Sequence, residues 1–355
     1  MTHARRRATS ADVAARAGVS RTTVSFVLNA RTDAGIPPET WRRVEEAARE
    51  LGYHPHGAAS ALAGGASHTI GLVLRQSAEQ VAADALLAET LWGVASEART
   101  SGYRVLVEPL SPEGGRYSDL LLSQRADGLI VSGPRVDDEE LAALVADGFP
   151  IIVQGSLPDV PAPSVDVDNR AGARAAVEHL LGLGHRRIGC VTNAPLAYTA
   201  AADRVAGYRD ALDKIGIDFD PDLVTEGAFD AASGHVAMTA LLDRAGDITA
   251  VFVASDIVAF GALRALRDAG RRVPADVSVV GFDDIPLARH FDPPLTTVHL
   301  PARSLGRTAG QLLVERVAGR PVPRRTLLPT QLVIRDSTAA VGPGRSGGPG
   351  PSVHH

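Results

Sequence analysis

The chain has 355 residues, too many for one ordinary core, so two or three domains are expected. Hydrophobic residues make up 45% and charged residues 22%, the balance of a soluble globular protein, and no long uncharged apolar run offers a membrane span. A net charge of −5 argues against wholesale coating of nucleic acid, and the single cysteine, Cys190, excludes an internal disulfide and fits a reducing compartment.

The charge is unevenly placed. Residues 1–66 carry nine Arg against six Asp and Glu, a net of +3, which leaves −8 for the remainder. A small basic head on an acidic body points to a local polyanion site. The start, "MTHARRRATS", has no apolar run behind it, so it does not read as a secretion signal and a cytoplasmic location is expected.

Three helices come first. Thr9 precedes "SADVAARAG" with Asp12 three residues on, a capping box, and Gly18 stops the helix. Ser20 caps "RTTVSFVLNA", with Thr23 at the third position. After a loop holding Gly35, Pro37 and Pro38, "PETWRRVEEAARELGY" sets Trp41, Val44, Ala48 and Leu51 on one stripe and ends at Gly52. Two helices joined by the tight "AGVS" turn make a helix-turn-helix, whose second helix can lie in a major groove. Val24, Val27 and Leu28 form its buried face, and Arg21, Thr22, Ser25, Phe26 and Asn29 its outer one. Pattern alone leaves a plain small helical bundle equally open.

Residues 54–68, "HPHGAASALAGGASH", read as a linker or a marginal helix with one large apolar residue, Leu62. Beyond it, "TIGLVL", "RVLVEPL", "GLIVSG" and "PIIVQG" alternate with helical stretches, and "RIGCVTN", "AVFVAS" and "VSVVGFDD" repeat the scheme. The expected fold class is α/β: a helix-turn-helix head on a two-lobed body of Rossmann-like parallel sheets. The boundaries are a head over 1–53, a hinge over 54–68 and a body over 69–337. Within the body, lobe 1 takes about 69–167 and 299–327, and lobe 2 about 168–298 and 328–337. The Gly/Pro-rich 338–355 is a disordered tail. Nucleophile elbows, glycine-rich phosphate loops and clustered metal ligands are not found, so neither an enzyme nor a cofactor is expected. His54 and His56 flank a proline, and His354 and His355 end the tail, so no metal is expected at either pair.

The head and hinge, "TSADVAARAGVSRTTVSFVLN…PETWRRVEEAARELGYHPHGAASALAGGASHTIGLV", resemble the lactose-repressor (LacI/GalR) family of bacterial transcription regulators. The resemblance continues through "DNRAGARAAVEHLLGLGHRRIGCV", "DRVAGYRDAL", "VFVASDIVAFGALRALRDAGRRVPADVSVVGFDD" and "DPPLTTVHLP". It implies a homodimer on a palindromic double-stranded DNA operator and a periplasmic-binding-protein-like body sensing a small-molecule effector, a carbohydrate by expectation. Arg21 and Thr22 match base-contact positions. Thr9, Ser20, Ser25, Phe26, Asn29, Tyr53 and Ala59 complete the implied DNA surface, and Leu62 would wedge into the minor groove and bend the operator. An activator or dual regulator with a non-sugar effector, or a ligand-binding protein without a DNA role, are the alternatives.

For the effector, the resemblance implies Arg204, whose planar guanidinium can grip adjacent hydroxyls, and Asp283 at a strand's carboxyl end. Ser255, Phe229, Gln76 and Ser77 follow as further candidates, while Asp256 reads as a helix cap after Ser255 and Asp284 as a turn residue. Three departures stand out. The Asn-Pro-aromatic-aromatic segment of relatives is absent from "RQSAEQVAADALLAETLWG", Leu300 stands for a common glutamine, and Gly155 for a common aspartate. The first-lobe side of the cleft is therefore expected to have lost polar groups, and the effector to be larger, less polar or differently placed than a free hexose. Pro37 also stands where relatives cap the third head helix with serine.

Overall fold

The structure, a computed structural model, describes residues 8–28, 34–53, 66–111 and 114–341. The head comprises α1 (Ser10–Ala17), α2 (Arg21–Leu28) and α3 (Pro38–Leu51). Thr9 and Asp12 form the expected reciprocal cap: the Asp12 N–H donates to Thr9 Oγ1 at 3.3 Å, and the Thr9 N–H to Asp12 Oδ2 at 2.8 Å. Gly18 then takes the left-handed conformation at φ +67° and lets the chain turn into α2. Ser20 Oγ accepts from the Thr23 N–H at 3.0 Å. Pro37 precedes α3 without a side-chain cap. Val13, Val24, Val27, Val44 and Ala48 close a small core between the three helices.

The body runs in chain order through β1 (Thr69–Leu74), α4 (Ala78–Ala83), α5 (Leu87–Thr100), β2 (Arg104–Pro109), α6 (Tyr117–Leu121), β3 (Gly128–Ser132), α7 (Glu139–Ala146), β4 (Ile151–Gln154) and β5 (Ser164–Val167). The second stretch holds α8 (Asn169–Gly182), β6 (Ile188–Val191), α9 (Thr199–Asp213), β7 (Val224–Thr225), α10 (Ala231–Arg244), β8 (Ala250–Val253), α11 (Asp256–Asp268) and β9 (Ser278–Val280). The last holds β10 (Thr297–His299), α12 (Ala302–Val317), β11 (Arg325–Leu328) and β12 (Gln331–Val333).

These strands form two parallel sheets, ordered β11-β5-β4-β3-β1-β2 and β7-β6-β8-β9, with β10 and β12 an antiparallel pair. The chain passes between the two sheets after β5, after β10 and after β11. Leu72, Ile130, Ile152 and Val165 fill the first core. In the second sheet β8 shows the strand's period of two. Val251 and Val253 face the core under α10 and α11, while Ala250 and Phe252 face the core under α8 and α9. Short apolar strands buried on both faces explain the near-continuous apolar runs read above. Cys190 lies wholly buried in β6, and burial pushes its thiol up to about 12, so it is inert packing. Among the described residues no helix is long and apolar enough to cross a membrane.

Residues 338–341, assigned above to a disordered tail, are instead held in place. The Val341 N–H donates to Leu183 O at 3.0 Å, and Ala339 O lies 3.0 Å from His185 Nε2. The physical reason is the segment before them, which threads into the second lobe. Ser337 is fully buried, donates to Val279 O at 2.6 Å and accepts from the Thr296 N–H at 2.8 Å. Ser337→Ala removes only the hydroxyl and strands both backbone groups, so a loss of about 2–3 kcal/mol is expected in urea denaturation. A loss under about 0.5 kcal/mol would mean that the strand ends do not depend on this hydroxyl.

Candidate functional site

On the head, Ser20, Arg21 and Thr22 are exposed at the N-terminus of α2, while Ser25 and Phe26 are half-buried along it. The first turn thus presents a guanidinium and two hydroxyl residues together, a set that can donate to base edges and phosphates. Thr9 is exposed and engaged in its capping box. Tyr53 packs against the head core, its N–H on Ala48 O at 2.8 Å, so its ring is held by helix packing rather than standing free. Asn29, Ala59 and Leu62 lie outside the described residues.

In the body, the carboxyl ends of both sheets face one cleft, where α/β folds place ligands. Arg204, on α9, organises it. Its Nε donates to Asn169 Oδ1 at 2.9 Å, and its Nη1 to Ala254 O at 2.5 Å and Asp283 Oδ1 at 3.5 Å. Its guanidinium stacks 3.8 Å from the Phe282 ring centroid. Asn169 Nδ2 in turn donates to Asp166 Oδ1 at 3.0 Å. The result is a relay, Asp166–Asn169–Arg204–Asp283, that runs from the end of the first sheet to the end of the second.

Asp283 carries φ +111° and Phe229 φ +69°, left-handed conformations that non-glycine residues adopt at a cost of about 1–3 kcal/mol. Surrounding bonds hold both: the Asp283 N–H donates to Val298 O and the Phe229 N–H to Asn193 O, each at 2.8 Å. The Phe229 ring meets Tyr198 edge-on at 4.9 Å, making an aromatic wall. Ser255 hydrogen-bonds Asp283 from the start of α11. A clasp flanks this wall: Tyr198 Oη donates to Arg75 O at 2.7 Å, and the Val136 N–H to Ala197 O at 3.0 Å, tying the first lobe to the second.

Of the six expected effector residues, Arg204, Asp283, Ser255, Phe229 and Gln76 line the cleft and Ser77 does not. Ser77 is corrected to a helix cap: its Oγ accepts from the Gln80 N–H at 3.3 Å while Gln80 Oε1 accepts from the Ser77 N–H. Asp256 is also not a cap. It is fully buried, accepting from Thr297 Oγ1 at 2.6 Å and the Ile285 N–H at 3.0 Å, and so ties α11 to the strands beside it. Asp284 holds Arg335 at 2.5 Å and His299 at 3.1 Å. Leu300 and Gly155, two of the departures noted above, do line the cleft, and Gln76, Asp84, Thr90, Ser132, Gln154 and Asp166 supply polar groups on its first-lobe side. Asp84 receives the Leu86 N–H at 2.9 Å, the Leu87 N–H at 3.1 Å and a bond from Gln76.

Burial governs the electrostatics. It lowers the Arg204 pKa from its ordinary value and raises Asp84. Asp166 and Asp283 are each pushed up to about 6, burial outweighing the nearby Arg204. A carboxyl raised in the folded state contributes stability that is present below its unfolded pKa and lost as pH rises through the folded one. Asp166→Asn keeps the Oδ1 acceptor but cannot titrate. Wild type is therefore expected to lose on the order of 2–3 kcal/mol relative to this variant between about pH 4 and pH 7. Taking the difference cancels His179 and His185, whose burial lowers their pKa and tilts the profile the other way. Parallel stability–pH curves for the two proteins would refute the assignment to Asp166.

Comparison with known proteins fits this geometry. Residues 9–56 match the family model described as bacterial regulatory proteins, lacI family, and residues 177–338 match a periplasmic binding protein-like domain. The chain is 39% identical over 339 residues to the HTH-type transcriptional regulator CelR of Thermobifida fusca, covering 94% of this chain and 99% of the relative. A solved transcriptional regulator CelR–cellobiose complex aligns at 37% identity with a TM-score of 0.72, covering 93% of this chain and 100% of the other. The lac repressor dimer bound to operator and the anti-inducer ONPF aligns at 34% identity and a TM-score of 0.80, covering 94% and 100%.

Proposed function

The chain belongs to the lacI family of bacterial regulatory proteins, sequence-specific DNA-binding regulators rather than enzymes, and from that premise we propose a repressor controlled by a sugar held in the body cleft. The observation that carries the reading is the Arg204 relay. A planar guanidinium and flanking carboxylates can hold adjacent hydroxyls, and Tyr198 and Phe229 offer ring faces and edges to a pyranose. The relay reaches both sheets, so an occupant that prefers one lobe arrangement shifts the whole body toward it. DNA and sugar affinities are then reciprocally coupled.

The acting species is a homodimer on a palindromic operator, each head placing Arg21 and Thr22 against base edges. Leu62 enters the minor groove at the operator centre. Phe26 stands where many relatives carry arginine. It offers apolar contact, such as to a thymine methyl, so this operator has no guanine requirement at the matching pair.

Gel shifts with fragments from the gene's own neighbourhood test the reading. A retarded fragment is expected, released by cellobiose or by another sugar from a panel of mono- and disaccharides. If no neighbouring fragment is retarded, the repressor reading fails. In the same assay Phe26→Arg should move the operator preference toward guanine at one symmetric position, and an unchanged preference would remove Phe26 from the reading surface.

A further inference from the structure

The cleft is rich in hydrogen-bond acceptors and poor in free positive charge. Asp84 and Asp166 line its first-lobe side and Asp283 its second-lobe side, against one lining cation among the described residues, Arg204. That cation donates through Nε and Nη1 to Asn169, Ala254 O and Asp283 and is stacked on Phe282, so its charge is already set against Asp283 rather than left to neutralise an added anion. Three further lining oxygens, Gln76 Oε1, Gln154 Oε1 and Asn193 Oδ1, are buried and accept from no protein group. Asn193 itself is only 9% exposed, deep in the cleft wall. A buried acceptor left unmatched is costly, so a ligand that fits must bring donors.

Asp84 differs from the other two carboxylates. It stands outside the Arg204 relay and is oriented by the Leu86 and Leu87 N–H groups and Gln76. Its charge reaches across the cleft and helps to push the Asp283 carboxyl up. Hydroxyl donors placed between the two carboxylates relieve that repulsion. A phosphate adds two negative charges and only acceptors, in a site where the low dielectric magnifies like-charge repulsion.

We propose that this cleft takes an uncharged, hydroxyl-rich sugar and rejects the phosphate ester of the same sugar, with Asp84 as the specificity-determining residue. The inference rests on the sugar-cleft reading above and narrows its ligand class. It rests on no base contact and no property of the head.

The test is direct binding to the full-length protein without DNA, by titration calorimetry. Matched pairs are used: cellobiose with cellobiose 6-phosphate, glucose with glucose 6-phosphate, and a panel of further uncharged mono- and disaccharides. The expected result is that at least one uncharged sugar binds and that its phosphate ester binds at least 100-fold more weakly. Asp84→Asn keeps the acceptor for the Leu86 and Leu87 N–H groups and should narrow that ratio at least tenfold. The wild-type ratio stands as a test by itself if the variant does not fold. An ester that binds within threefold of its parent overturns the inference. So does an unchanged ratio in folded Asp84→Asn, or a panel in which no uncharged sugar binds. A protein that binds uncharged sugars yet never releases DNA breaks the repressor reading and leaves this one standing. Binding of a phosphorylated sugar together with DNA release does the reverse.

Discussion

Arg204→Met is expected to destabilise the second lobe by about 3–5 kcal/mol at neutral pH and to remove effector-dependent release of DNA. Methionine roughly fills the volume but leaves three groups without their partner: Asn169 Oδ1, Ala254 O and the buried Asp283 carboxylate. Breaking one side of a buried, hydrogen-bonded ion pair is costly because the remaining charge has nowhere to go. Part of the loss should return as pH falls toward 5, because Asp283 without its guanidinium protonates more readily still. Urea denaturation at two pH values, with gel shifts on the folded variant, separates the two effects. A variant within about 1 kcal/mol of wild type that still responds to effector would remove Arg204 from the centre of both.

Gly261→Ala should destabilise by about 3 kcal/mol, the upper end of the range for overpacking. Helix propensity alone argues the opposite sign, since alanine is favoured over glycine by about 1 kcal/mol in a helix interior. The conflict is settled by how closely α10 and α11 approach. A Cβ at Gly261 would stand 1.8 Å from Ala231 O and 2.5 Å from the His235 N, both backbone atoms of α10. From the other side, a Cβ at Gly234 would meet Val258 O at 2.1 Å. Neither helix can yield by rotating a side chain. They would have to separate, loosening Val258, Ala262 and Met238 in the core beneath them. A thermal melt that rises for Gly261→Ala would show that the pair has slack.

The local features of this fold were open to reading. The reciprocal Thr9–Asp12 cap, the Gly18 stop, the Ser20 cap and the alternation of apolar strands with helices are each written within a few residues. The cleft was legible where the family resemblance marks a position, as at Arg204, Asp283, Ser255 and Phe229. Asp166, Asn169, Tyr198 and Asn193 were missed because each is an ordinary residue at or near a strand end or a helix start. They meet only because two sheets put their carboxyl ends together. Asp84 was hidden differently: the segment around it lacks the aromatics of relatives, so nothing in it marked Asp84 or Gln154 as cleft residues beside the expected Gln76. Ser77 misled because its hydroxyl is consumed one residue later by a helix start. Asp256 misled because a residue at a helix start can equally reach sideways to neighbouring strands.

The clasp beside the aromatic wall bears on time rather than on affinity. Opening there means breaking the Tyr198 Oη bond to Arg75 O, the Val136 N–H bond to Ala197 O and the Thr199 N–H bond to Pro134 O together, none of which touches the relay. Such a latch changes how fast an occupant leaves more than how it is recognised. On the proposed reading, residence time, and with it the delay before transcription responds to loss of the effector, is then tuned by Pro134, Val136, Ala197 and Thr199, the clasp residues outside the aromatic wall. Variation confined to that short strip would let the same recognition chemistry serve a quick switch or a slow one.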